Sequence, residues 1–114
     1  MMRSAISSLS KNEDFKSLLQ GKKKSNKYLT IFFKKLSGKN NKKINISFVT
    51  KKKIGNAVKR NKIKRRLRNV MNEAKKTISL NLHYSYLMIA KDSVIKDKYS
   101  ELKQVIFKDL ENIK

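Results

Sequence analysis

The stretch "KKKIGNAVKRNKIKRRLRNV", Lys51 to Val70, carries ten Lys or Arg residues in its first eighteen positions. Ile63, Leu67, Val70 and then Ala74 recur at i, i+4, i+7 and i+11, a narrow apolar stripe of helical period. Asn61, Arg65, Arg68 and Asn72 fall on the opposite side, flanked by Lys62 and Lys64. Arg66 lies beside the stripe, where its stem can cover apolar surface while its head reaches water. Gly55-Asn56 breaks the chain ahead of the helix, with Asn56 as N-cap. Such a segment folds only against a partner layer that takes its apolar edge and leaves the positive edge wet.

The neighbouring segments supply that layer. "INISFVT" alternates, with Ile44, Ile46 and Phe48 inward and Asn45 and Ser47 outward. "YLTIFFKK", Tyr28 to Lys35, places Leu29, Ile31 and Phe33 on one face and Tyr28, Thr30 and Phe32 on the other. "SGKNNKK", Ser37 to Lys43, reads as a turn, so the two strands are expected to form a hairpin. "HYSYLMIA", His83 to Ala90, is apolar almost throughout after Ser85, as a strand covered on both faces would be. Upstream, Ser10 to Glu13 fits a capping box opening a helix from about Lys11 to Gln20, with Gly21 ending it in the left-handed conformation. Phe15, Leu18 and Leu19 share one face of that helix. Lys22 to Lys27 is a loop or a short edge strand. Tyr99, Leu102, Ile106, Leu110 and Ile113 stripe a last helix, with Asp97 as its N-cap. The order helix, strands, basic helix, strand, helix predicts one α+β sandwich, a sheet with helices packed on it. Residues 1–114 form a single domain, with 1–9 expected as a flexible tail.

Composition narrows the function. Net charge is +22, from 30 Lys/Arg against 8 Asp/Glu. Self-repulsion at that density opposes compaction, and a polyanion relieves it. A genomic preference for Lys would account for some of this. It does not account for Arg60, Arg65, Arg66 and Arg68, four of the five arginines, falling within nine positions. Nor does it account for the lack of any Asp or Glu from Phe15 to Asn72. Arg presents a planar donor fork suited to phosphate and base edges. Nucleic acid is therefore the leading partner, and the chain reads as an RNA-binding domain. A helix lying on anionic membrane would need a Trp/Phe/Leu-rich face, which is missing. No apolar run is long enough to span a bilayer and no secretory segment opens the chain, so a cytoplasmic protein is expected. There is no Cys, and His83 is the only His. The acids are scattered, and three glycines make no phosphate loop. No catalytic residue is predicted, and no small-molecule substrate.

"KKIGNAVKRNKIKRRLR", Lys52 to Arg68, resembles the signature of the bacterial ribonuclease P protein subunit. Its core is Arg60-Asn61-x-x-Lys64-Arg65 after Gly55-Asn56-Ala57-Val58. "KNEDF" at Lys11–Phe15, "YSYLMIAK" and the closing helix also fall where that family has them, so the resemblance covers nearly the whole chain. Ser47, Lys51 and Leu19 depart from the common pattern, Leu19 standing where some members have an aromatic. The resemblance implies a ribonucleoprotein endoribonuclease that removes the 5′ leader of precursor tRNA. Its RNA subunit is the ribozyme and mainly holds Mg²⁺. The resemblance also implies a left-handed βαβ crossover. Carried over residue by residue, Lys52, Lys53, Arg60, Asn61, Lys62, Lys64, Arg65 and Arg68 meet the catalytic RNA. The cleft for the single-stranded leader maps onto Phe15 and Leu19 of the first helix and Thr30 and Phe32 of the strand, with Tyr28 adjacent. The protein's own metal contacts stay open. The alternative is a small ribosomal or architectural RNA-binding protein with no catalytic assembly.

Overall fold

The computed structural model describes residues 5–8, 12–36 and 42–113. Its elements are β1 (Ala5–Ser8), α1 (Asn12–Leu19), β2 (Lys22–Ser25), β3 (Leu29–Lys34), β4 (Lys43–Val49), α2 (Ala57–Thr77), β5 (Ser85–Ala90) and α3 (Tyr99–Glu111). Short 3-10 turns at Lys52–Ile54 and Asp92–Ile95 lead into α2 and follow β5.

β5 is the middle of the sheet, as its apolar run requires, and the strand order is β1-β4-β5-β3-β2. Residues with odd and even numbers feed different cores. Tyr86, Met88 and Ala90 join Leu29, Ile31, Phe33, Ile44 and Ile46 under α2 and α3. Leu87 and Ile89 join Phe32 and Val49 under α1, whose Leu18 is fully buried. The sheet is thus covered on both faces, and the α+β sandwich is as expected. β4 and β5 are parallel neighbours joined through α2, which makes the βαβ crossover.

α2 forms as its pattern dictates. The Asn56 side chain accepts a hydrogen bond from the Lys59 amide at 3.0 Å. Ile63, Leu67, Val70 and Ala74 are completely buried, and Met71 widens the stripe. Arg66 is half-buried beside the stripe, as expected, but its head is engaged by protein: Nη1 donates to the Val94 carbonyl at 3.3 Å, and the guanidinium lies 5.8 Å from the Tyr99 ring centre. Tyr99 in turn donates to Glu73, and burial together with that carboxylate pushes its hydroxyl up to about 12.

Several local expectations change. β3 and β4 do not form a hairpin; each pairs with β5, antiparallel and parallel respectively. Alternation assigns a face but not a neighbour, and the strand that is apolar after Ser85 took the place between them. The turn expected at Ser37–Lys43 and the capping residue Ser10 lie largely or wholly outside the described residues. Asn45 is buried, because the face of β4 expected to be wet lies in the second layer. Ala5–Ser8, expected within a flexible tail, pairs in parallel with β4, since β4 would otherwise present an open edge. Gly21 is not left-handed. A Cβ there would stand 2.7 Å from the Phe33 carbonyl oxygen, so what needs glycine is close approach of the α1–β2 corner to β3.

Asp97 does not cap α3; that position is Lys98. Asp97 instead accepts from the Tyr28 hydroxyl at 2.7 Å and pairs with Lys27 at 2.6 Å. These hydrogen bonds, Lys27 first, hold its carboxyl below the usual range. Asp92, held by Lys59 and Lys96, is lowered in the same way. A carboxyl whose folded pKa is depressed contributes stability above its unfolded value, about 3.9. That contribution is lost as pH falls through the folded value, because the unfolded chain then binds more protons. Asp97→Asn is therefore expected to flatten the fall in unfolding free energy below about pH 4. Urea melts of both proteins across pH 2–6 check it, and parallel slopes would count against the assignment.

Candidate nucleic-acid interface

Two surfaces carry the predicted residues. The first is α2. Asn61, Lys62, Arg65 and Arg68 are exposed, and Lys64 is half-buried. Arg60, Lys64 and Arg68 stand at i, i+4 and i+8 and so share one flank. That flank faces β4, for the Arg68 guanidinium lies 5.8 Å from the Phe48 ring centre. Arg60 is sunk further than the sequence suggests. It is half-buried beside the stripe, and its buried Nε has no hydrogen-bond partner. On the other flank Lys62, Arg65, Arg66 and Asn69 surround a hollow of 260 Å³ with Ile95. Arg65 stands between the two flanks. One helix thus exposes Arg65 and Arg68 on its outer side and keeps Arg60 and Arg66 half-buried at its two flanks.

The second surface is the cleft between α1 and the sheet. Phe15 and Phe32 are half-buried in one apolar cluster with Leu18 and Leu87, edged by Leu36, Val49 and Ile89. Thr30 is half-buried on the same face as Phe32. Two predicted members are placed differently. Tyr28 is 1% exposed and belongs to the core under α2 and α3. It precedes β3, so strand alternation does not apply to it, and the pull of Asp97 on its hydroxyl turns the ring inward. Leu19 is 50% exposed at the last residue of α1 and does not join the cluster of Phe15 and Phe32.

The two surfaces meet. Thr30 of the cleft and Lys53 of the turn before α2 line one cavity of 430 Å³, together with Lys51, Ile54, Ile89 and Lys91. Lys52 is exposed on the same turn. Sequence reading missed Lys51, Lys91, Val49 and Ile89. Val49 was discoverable: with Ile44, Ile46 and Phe48 facing one core, it must face the other. Lys91 was not, because only the pairing of β3 with β5 brings it beside Thr30.

A protein-family model described as Ribonuclease P matches residues 4–114. The chain belongs to the ribonuclease P protein family. Among relatives, the "Ribonuclease P protein component" of Mycoplasma mycoides subsp. mycoides SC is 31% identical over 106 residues, covering 93% of this chain and 94% of that one. The component of the same name from Listeria monocytogenes serotype 4b is 34% identical over 97 residues, covering 84% of this chain and 78% of that one. Solved structures share the fold. The RNase P protein from Thermotoga maritima matches with a TM-score of 0.77 at 22% identity, over 95% of this chain and 98% of that one. The Staphylococcus aureus RNase P protein matches at 0.74 and 23%, over 93% of each chain. Membership ties the chain to a tRNA-processing ribonuclease and to an RNA partner in a ribonucleoprotein. Among the described residues, no helix is long and apolar enough to cross a membrane.

Proposed function

We propose that this chain is the subunit that binds the catalytic RNA of ribonuclease P through α2 and the single-stranded 5′ leader of precursor tRNA through the α1–sheet cleft. The observation that carries the reading is the two-sidedness of α2. Ile63 and Leu67 are fully buried while Asn61, Arg65 and Arg68 stand in solvent on the same helix. Contacts there are mostly to phosphate, since the A-form major groove is too narrow for a helix to read. In the cleft, two half-buried aromatics beside lysines suit a sequence-tolerant single strand.

Bond breaking belongs to the RNA in this reading. Among the described residues no three His, Cys, Asp or Glu side chains converge as a metal site. In this reading Mg²⁺ is held mainly by the RNA and its phosphates, and any contact the protein makes to the ion stays open. The protein's part is to neutralise phosphate repulsion and to hold the leader.

The deciding experiment adds this protein to the catalytic RNA of the same cell and follows precursor cleavage at low Mg²⁺. Acceleration is the expected result. RNA binding without acceleration would favour an architectural RNA-binding protein instead. Arg65→Ala is expected to lower the slope of log affinity against log salt by about 0.7–0.9 for one lost phosphate contact. An unchanged slope would remove Arg65 from the interface.

A further inference from the structure

At the end of β3 away from Thr30, the sheet carries a second hollow, of 310 Å³. Lys22, Phe33, Lys34, Lys35 and Tyr84 line it, and the Gln20–Gly21 corner closes it. Thr30 and Lys34 are four residues apart on β3, so the two hollows lie about 13 Å from each other along the strand. The Phe33 and Tyr84 rings meet edge to face at 5.3 Å, and the Lys35 ammonium lies 6.0 Å from the Tyr84 ring centre. Lys22 is directly opposite Phe33 in the β2–β3 register, so the two share a face. Lys34 Nζ donates to Ser17 Oγ at 3.2 Å, which fixes that lysine between α1 and the hollow. Among the described residues no Asp or Glu lines the site.

Part of this has a structural explanation. β2 is an edge strand, and its lysines discourage pairing with another chain. That does not account for Lys34 and Lys35, which belong to the inner strand β3 and its exit, or for a tyrosine set among them. We propose that this hollow is a separate site for single-stranded RNA, taking one nucleotide with its base against Tyr84 and its phosphates on Lys22 and Lys35. The inference rests on the RNA-binding reading above, and it concerns a surface that neither α2 nor the leader cleft uses. The volume sits at the low end of the about 300–1,000 Å³ typical of small-ligand sites, which suits a nucleotide and not a duplex. Aromatic surface ringed by cations is the chemistry of sequence-tolerant strand binding, and paired bases in a duplex would not present their faces to Tyr84. Lys35 is exposed on a flexible stem, so it can yield the ring face and turn to phosphate. The strand is either a leader that runs beyond the cleft or an unpaired segment of the catalytic RNA.

The test uses the full chain and oligouridylate carrying 4-thiouridine. Irradiation is expected to give an adduct on the peptide holding Tyr84, and Arg65→Ala should retain it. Lys22→Gln/Lys35→Gln changes two exposed side chains and should leave the circular dichroism intact. It is expected to weaken oligouridylate binding several-fold and to lower the salt slope by about 1.4, for two lost contacts to a single strand. Absence of the Tyr84 adduct, or an unchanged slope in the double variant, overturns the site. A wild-type chain that binds neither oligouridylate nor the catalytic RNA overturns the parent reading as well. Precursors with short and long leaders then separate the sources. A loss that appears only with the long leader assigns the site to the leader, and a loss in assembly without substrate assigns it to the catalytic RNA.

Discussion

Leu67→Ala is expected to lower the unfolding free energy by about 2–5 kcal/mol, the usual cost of deleting a fully buried leucine side chain and leaving a cavity. Leu67 has no exposed surface and sits mid-way along α2, between Ile63 and Val70 and against the sheet. Helix and sheet are both regular there, so little can collapse into the space. A domain of this size has about 5–15 kcal/mol in hand, and a chain at +22 also carries self-repulsion. The variant should therefore be partly unfolded in dilute buffer and regain structure with added salt, which screens the repulsion. Urea melts at two ionic strengths read both effects. A loss below about 1 kcal/mol would mean that α2 is not seated on the sheet as described.

Phe32→Ala is expected to weaken binding of precursor tRNA with a leader by about 1–3 kcal/mol, the worth of one base stacked on an aromatic ring. Binding of mature tRNA should change far less. Phe32 is only half-buried, on the face of β3 that meets α1, and Phe15 stands across the cleft in the same cluster. Its ring packs in that cluster whether or not it also stacks on a base, so a fall in stability alone would not be informative. The comparison of the two tRNAs is. Equal losses for both would make Phe32 a packing residue. Phe32→Leu keeps apolar volume but removes the ring, and should show the leader-specific loss with a smaller change in stability.

Most of α2 was legible in the chain. An apolar stripe of helical period beside clustered arginines states both which edge is buried and which is wet, and Asn56 marks the start. The strands were legible as strands because alternation is a local property. Their pairing was not. β3 and β4 lie close in sequence, and loop closure favours neighbours, yet both pair with the largely apolar β5. The site divided along the same line. Arg65 and Arg68 could be placed from helix angle alone. Tyr28 could not, because its orientation depends on Asp97, sixty-nine residues away.

By itself, then, the order of residues determined the class of fold, the two faces of α2, the polyanionic partner and the family signature, since each depends on spacing within one element or on summed charge. Tertiary structure alone decided that β1 closes the sheet beside β4, that Tyr28 turns inward, and that Thr30 shares a cavity with Lys53 and Lys91. The reason is physical: these outcomes follow from contacts between segments far apart in the chain, and such contacts are chosen by competition among strands and charges for one partner, which no local pattern records.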